Sequence, residues 1–228
     1  MRYSQKQIVE ETRRFFQKVY AWMFLGLIIS GITAYWIASD PSLYEPILFN
    51  NIAFFSLIIL ELVLVFNLVV FIKELSANLA FLLFLFYCFV SGLTLSVIFL
   101  VYSFDSIGLT FLISAGMFGI MSVYGYFTKT DLTKMGQVLI MGLLGIILAS
   151  LINLFYGNTL ADYIISFIGV IVFTGLTAYD TQKIRKTNII GNEGTQEDIK
   201  ESIIGALNLY LDFVNLFLEL LRFFGKRK

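Results

Sequence analysis

The sequence predicts an all-α polytopic membrane protein with seven transmembrane helices. Three observations predict it. The 228 residues are 58% hydrophobic and only 14% charged, whereas a soluble domain keeps roughly a quarter of its residues charged. Mean hydropathy is +0.84, so too few polar residues remain to cover the outside of a water-soluble fold, and lipid must be the solvent for much of the surface. Long uncharged stretches recur, each near the roughly 20 residues that cross a bilayer as a helix.

Taken in order, the spans fall at 19–39, 52–72, 78–102, 106–127, 135–156, 163–182 and 202–224. They form a single transmembrane domain over 1–228, led by a cytoplasmic amphipathic tail at 1–18. The first span carries no charge from Val19 to Ser39 and is followed by the loop DPSLYEP with both prolines, Pro41 and Pro46. Glu61 and Asn67 interrupt the second. The third lies in the charge-free stretch between Glu74 and Asp105. The sixth reaches Asp180 near its end, and the seventh contains Asp212, Glu219 and Arg222. Tyr20, Trp22, Tyr35, Trp36, Tyr124, Tyr126, Tyr156 and Tyr163 collect near span ends, where amphipathic rings suit the interface.

Lysine and arginine set the orientation. Arg2, Lys6, Arg13, Arg14 and Lys18 lie before the first span. Lys73, Lys129, Lys134, Lys183, Arg185, Lys186 and Lys200 lie in every second loop, and the alternate loops carry no Lys or Arg. The N-terminus is therefore expected in the cytoplasm. The basic tail after the seventh span breaks the pattern: either the last helix crosses against the rule, the reading favoured here, or it re-enters. No cleaved signal is expected, because the N-terminus is mixed-charge and the first apolar run exceeds a signal's apolar core. The short tails point to a bacterial plasma membrane.

Composition also excludes. Zero net charge argues against a nucleic-acid surface. The chain has no histidine, so imidazole metal sites and histidine bases are ruled out, and a single cysteine, Cys88, forms no internal disulfide. No resident cofactor is expected. Small residues in the fourth and fifth spans (Ser114, Ala115, Gly116, Gly119, Ser122, Gly142, Gly145 and Ala149) read as close helix packing.

Charges inside spans mark the candidate site, since each costs about 2.5–3.5 kcal/mol on insertion scales and needs a partner. On a helical wheel with Asn208 at zero, Asp212, Asn215, Glu219 and Arg222 fall at about 40°, −20°, 20° and −40°. This narrow polar stripe belongs against other helices or a wet cavity, which places the last helix centrally; an interfacial amphipathic helix is the alternative. Asp180 either marks the cytoplasmic end of the sixth span beside Lys183 or, if the helix runs another turn, lies in the inner half of the membrane, where Asp212 could meet it. Two such carboxylates share a proton rather than both ionise. Their oxygens suit a hard cation such as Ca²⁺, which takes six to eight ligands, so binding by at most four protein oxygens would be partly hydrated and transient. Glu61 in the second span has Arg222 as its best cationic partner, whereas Arg222 could instead pair locally with Glu219.

The segments TGLTAYDTQKIRK (Thr174 to Lys186) and ALNLYLDFVNLFLELLRFFG (Ala206 to Gly225) resemble the signatures of the Bax inhibitor family, the transmembrane Bax inhibitor motif proteins. SGLTLSVIFLVYSFDSI and MSVYGYFTKTDLTKMG resemble the middle of that family. The resemblance implies seven helices with the last one central and a pH-sensitive Ca²⁺ leak. It implies a paired-aspartate sensor at Asp180 and Asp212 and an ion pair of Glu61 with Arg222. The family's basic residue near the aspartate pair has no clear counterpart; Lys73 comes nearest. Two other classes remain. One is a membrane-embedded regulator that binds a membrane protease or cell-death partner without transport. The other is an intramembrane aspartyl protease, suggested by Tyr179–Asp180. It is disfavoured because Asp212 follows Leu209-Tyr210-Leu211 rather than Gly-x-Gly, and no proline follows Pro46. A proton-coupled exchanger would differ from a leak by strict stoichiometry.

Overall fold

In the computed structural model, which describes residues 4–228, the chain is helical throughout. Nine helices are present among the described residues: α1 (Gln5–Ala38), α2 (Pro41–Leu48), α3 (Asn51–Val70), α4 (Ala77–Leu95), α5 (Val97–Val101), α6 (Phe104–Phe127), α7 (Thr133–Tyr156), α8 (Thr159–Thr187) and α9 (Gln196–Phe224). Seven segments are long and apolar enough to cross a membrane, with α4 and α5 together forming one of them. The protein is an all-α polytopic membrane protein. Arg2 of the N-terminal tail lies outside the described residues.

Local chemistry sets the helix ends. Ser4, Asp40, Asn50, Ser76 and Ser103 each accept a backbone N–H of the first turn, meeting donors that have no partner within the helix. Ser4 and Gln7 form a reciprocal capping box, which explains why α1 starts far ahead of the apolar run at Val19 and absorbs most of the tail. The expected loop DPSLYEP is instead the short helix α2, because Asp40 caps it and Pro41 sits in its first turn, where a missing N–H costs nothing. The third span breaks at Ser96, which is buried and whose Oγ donates to Leu93 O at 2.6 Å.

The chain divides into two compact units: residues 1–101 with 187–210, and residues 102–186 with 211–228. In the first, α1 packs along α4, and α4 along α3. The first part of α9 is enclosed there by Tyr210. Its hydroxyl lies 2.6 Å from Ser30 Oγ and 3.0 Å from Ser91 Oγ, and its ring meets Phe84 and Tyr87 edge-on. Asp198, 2% exposed, holds Lys18 Nζ at 2.5 Å and the N–H of Gly194 at 2.8 Å.

In the second unit the remainder of α9 lies against α6 and α8. Phe213 stacks edge-on with Phe111 and Phe118 at centroid distances of 5.4 and 5.5 Å. Of the most apolar stretch of α9, 72% is buried, against 6% in α7. Apolar side chains such as Leu144, Leu148, Leu154 and Phe155 instead stand outward on α7, toward lipid.

The packing expected of the small residues holds only in part. Ser114 and Ser122 are buried, and a Cβ at Gly142 would stand 3.2 Å from Val172. Gly116, Gly119 and Gly145 meet no atom within 4 Å of a Cβ position. On α6, Gly116 and Gly119 lie off the buried row Ser114–Phe118–Ser122, so they have no helix to approach. Close approach occurs instead at Gly125, against the Ala178 backbone, and at Gly136, against the Tyr179 ring.

Candidate functional site

Asp180 and Asp212 both belong to the second unit. Helix α8 continues past Asp180 to Thr187, the extension needed to carry this carboxyl inward from the helix end. The two carboxyl groups lie close enough for each to act on the other. A carboxylate only accepts, so direct contact between the two would require a proton on one of them. Asp212 is 5% exposed, and its Oδ2 has no hydrogen-bond partner. Lys183, on the turn after Asp180, acts on the Asp180 charge and also approaches the Tyr179 ring at 5.8 Å. Both partners considered for Asp180 are therefore present around it.

The backbone around Asp180 is fixed by side chains that follow it. Gln182, 2% exposed, donates from Nε2 to Thr130 O at 2.7 Å and accepts the Leu132 N–H at 2.9 Å. Arg185 donates to the carbonyls of Tyr126 and Thr128. Lys186 Nζ meets Asp131 Oδ1 at 2.6 Å. These contacts strap the α6–α7 turn to the end of α8. They also satisfy backbone groups of a turn that lacks a side-chain cap at Leu132. Asp131, outside the spans, has its carboxyl held well below the usual carboxylate range, chiefly by the Lys186 hydrogen bond and then by Thr133.

The polar stripe of α9 is uneven. Asp212 and Glu219 are buried, Asn208 and Asn215 are half-buried, and Arg222 is exposed. Asn215 turns its amide back onto Leu211 O at 2.8 Å, so its donor is used within its own helix. Arg222 Nη1 lies 3.6 Å from Glu219 Oε2, the local pair at three-residue spacing. In the first unit, Glu61 Oε1 accepts from Thr94 Oγ1 at 2.6 Å. Glu61 and Arg222 fall in different units, and each has its own local partner.

Sequence reasoning passed over Thr94, Gln182 and Ser166. Only Gln182 left a signal: a polar amide in line with the buried positions Ala178 and Thr181 of α8. Among the described residues no group of three or more His, Cys, Asp or Glu could hold a metal ion.

A chain with seven helices long and apolar enough to cross a membrane, and a buried aspartate on the last beside an aspartate on the one before, is an integral membrane protein with an acidic site in its interior. Comparison with known proteins takes this further. The family model for the inhibitor of apoptosis-promoting Bax1 matches residues 12–228. The chain is 47% identical over 212 residues to the inner membrane protein YbhL of Escherichia coli K12, covering 92% of this chain and 91% of the relative. It is 44% identical over 225 residues to a protein of Borreliella burgdorferi, covering 99% and 97%. It is 34% identical over 217 residues to a membrane protein of Streptococcus pyogenes, covering 93% of each. The chain belongs to the Bax inhibitor family.

Proposed function

We propose that the protein is a pH-sensitive Ca²⁺ leak channel whose sensor is the pair Asp180–Asp212. The observation that carries this reading is the nearness of the two carboxyls on the last two helices, one of them almost wholly enclosed. A pair that holds one proton changes charge when that proton leaves. The deprotonated pair offers oxygen ligands to a hard cation; the protonated pair offers fewer. Ca²⁺ as the ion rests on this oxygen chemistry and on the family resemblance. Glu61 and Arg222 complete the reading as the gating ion pair that the resemblance implies.

We place the N-terminus in the cytoplasm on the distribution of Lys and Arg. We infer a bacterial inner membrane from the likeness to the inner membrane protein of Escherichia coli. The test is Ca²⁺ flux in liposomes holding only the purified protein. Flux that rises and falls with pH supports the leak. Absence of flux at every pH favours a membrane-embedded regulator that acts on a protease or cell-death partner.

A further inference from the structure

We infer that the basic segment after α9 forms, with the start of α6, a rim that binds the phosphate headgroup of an anionic phospholipid. The inference does not depend on the leak reading. From Arg222 onward the chain carries Arg222, Lys226, Arg227 and Lys228 and no acid. The Lys and Arg of the other loops set an orientation that disfavours such a segment after a seventh crossing. The charge at this end therefore calls for an account of its own.

The segment is lashed down by its backbone, within the second unit. Gly225 brings the chain against Tyr102, where a Cβ would stand 2.7 Å from two carbons of the ring. The Ser103 N–H donates to Lys226 O at 3.1 Å, and the Lys226 N–H donates to Ser106 Oγ at 2.9 Å. The Arg227 backbone pairs antiparallel with Tyr102. These contacts use main-chain groups, and the residues Lys226 and Arg227 stand exposed. Arg222, by contrast, is engaged by Glu219 at 3.6 Å. Asp105, exposed in the first turn of α6, offsets one charge and is outnumbered by Lys226, Arg227 and Lys228. Exposed rings flank these cations. Phe104 and Phe224 are 66% and 64% exposed and suit acyl chains. The exposed ring of Tyr163 lies 5.7 Å from that of Phe223 and suits the interface. Fixed cations beside exposed apolar rings match an amphiphile with an anionic head better than a free anion. Each Lys or Arg near the headgroups is worth roughly fivefold in affinity.

The test titrates the purified full chain in nonionic detergent with phosphatidylglycerol or phosphatidylcholine and counts bound lipid by native mass spectrometry. Phosphatidylglycerol is expected to bind at least tenfold more tightly. The double variant Lys226→Gln/Arg227→Gln is expected to lose most of that preference, to keep its affinity for phosphatidylcholine, and to melt as wild type does. Lys6→Gln/Arg13→Gln removes the same charge near the other end of the chain and is expected to change nothing. Equal binding of the two lipids would overturn the rim, as would wild-type preference in the Lys226/Arg227 variant or an equal loss in the Lys6/Arg13 variant. Displacement of phosphatidylglycerol by millimolar inorganic phosphate would overturn the lipid in favour of a free anion.

Discussion

The side-chain carbonyl of Gln182 accepts the backbone N–H of Leu132 at 2.9 Å, while its amide donates to Thr130. One side chain thus closes both sides of the turn between α6 and α7, two residues from Asp180. Gln182→Leu keeps much of the volume and strands both backbone groups, each worth about 1–3 kcal/mol when buried and unmet. We expect a clear drop in thermal stability in detergent. A variant as stable as wild type would show that water replaces the amide.

Asp131 and Lys186 secure the same turn at the surface. The folded state lowers the Asp131 carboxyl, through Lys186 first and Thr133 second. A lowered folded value contributes stability that is present above the unfolded value near 4 and is lost as pH falls through the folded value. Asp131→Asn is therefore expected to melt below wild type at neutral pH, with the gap closing below about pH 4 and shrinking in high salt. Melting curves across pH and salt check this. A gap that persists at low pH would point to lost Thr133 contacts rather than charge.

The spans were legible because lipid imposes a length and a composition, and the helix starts at Asp40, Asn50, Ser76 and Ser103 carry ordinary capping residues. The nearness of Asp180 and Asp212 was legible only as far as topology brings both to one depth. The length of α8 past Asp180 decides it, and hydropathy does not register that polar turn. The glycines misled because periodicity cannot say which face has a neighbour: Gly125 and Gly136 approach α8, whereas Gly116 and Gly119 face none. Thr94 as the partner of Glu61, and Ser166 beside Glu219, depend on rotamers and helix rotation that no spacing encodes.

Tyr210 ties α9 to Ser30 of α1 and Ser91 of α4 at 2.6 and 3.0 Å with no exposed surface. Tyr210→Phe keeps the ring contacts with Phe84 and Tyr87 and removes the hydroxyl. The buried Ser91 hydroxyl loses its Tyr210 donor, so a loss of about 1–3 kcal/mol is expected, read as a lower melting temperature. A neutral result would mean that the serines satisfy each other.

The gating pair is checked by a double-mutant cycle on flux. If Glu61 and Arg222 act as one ion pair, Glu61→Gln and Arg222→Ala are non-additive. Additive effects would leave Arg222 to Glu219 and Glu61 to Thr94, the partners seen at 3.6 and 2.6 Å.

Orientation is checked by cysteine labelling of intact cells after Cys88 is replaced. A cysteine at Asn158 is expected to react from outside. One at the exposed Thr195 is expected to react only once the membrane is permeabilised. The reverse pattern would invert the topology.

The central claim is that Asp180 and Asp212 sense pH as a pair, and the pH profile of Ca²⁺ flux through purified protein in liposomes tests it most directly. Aspartate-to-asparagine at either position keeps the shape and removes the shared proton. Each substitution is expected to flatten the profile and weaken Ca²⁺ association, and the double variant should add little to either. Wild-type pH dependence retained in both single variants would contradict the account.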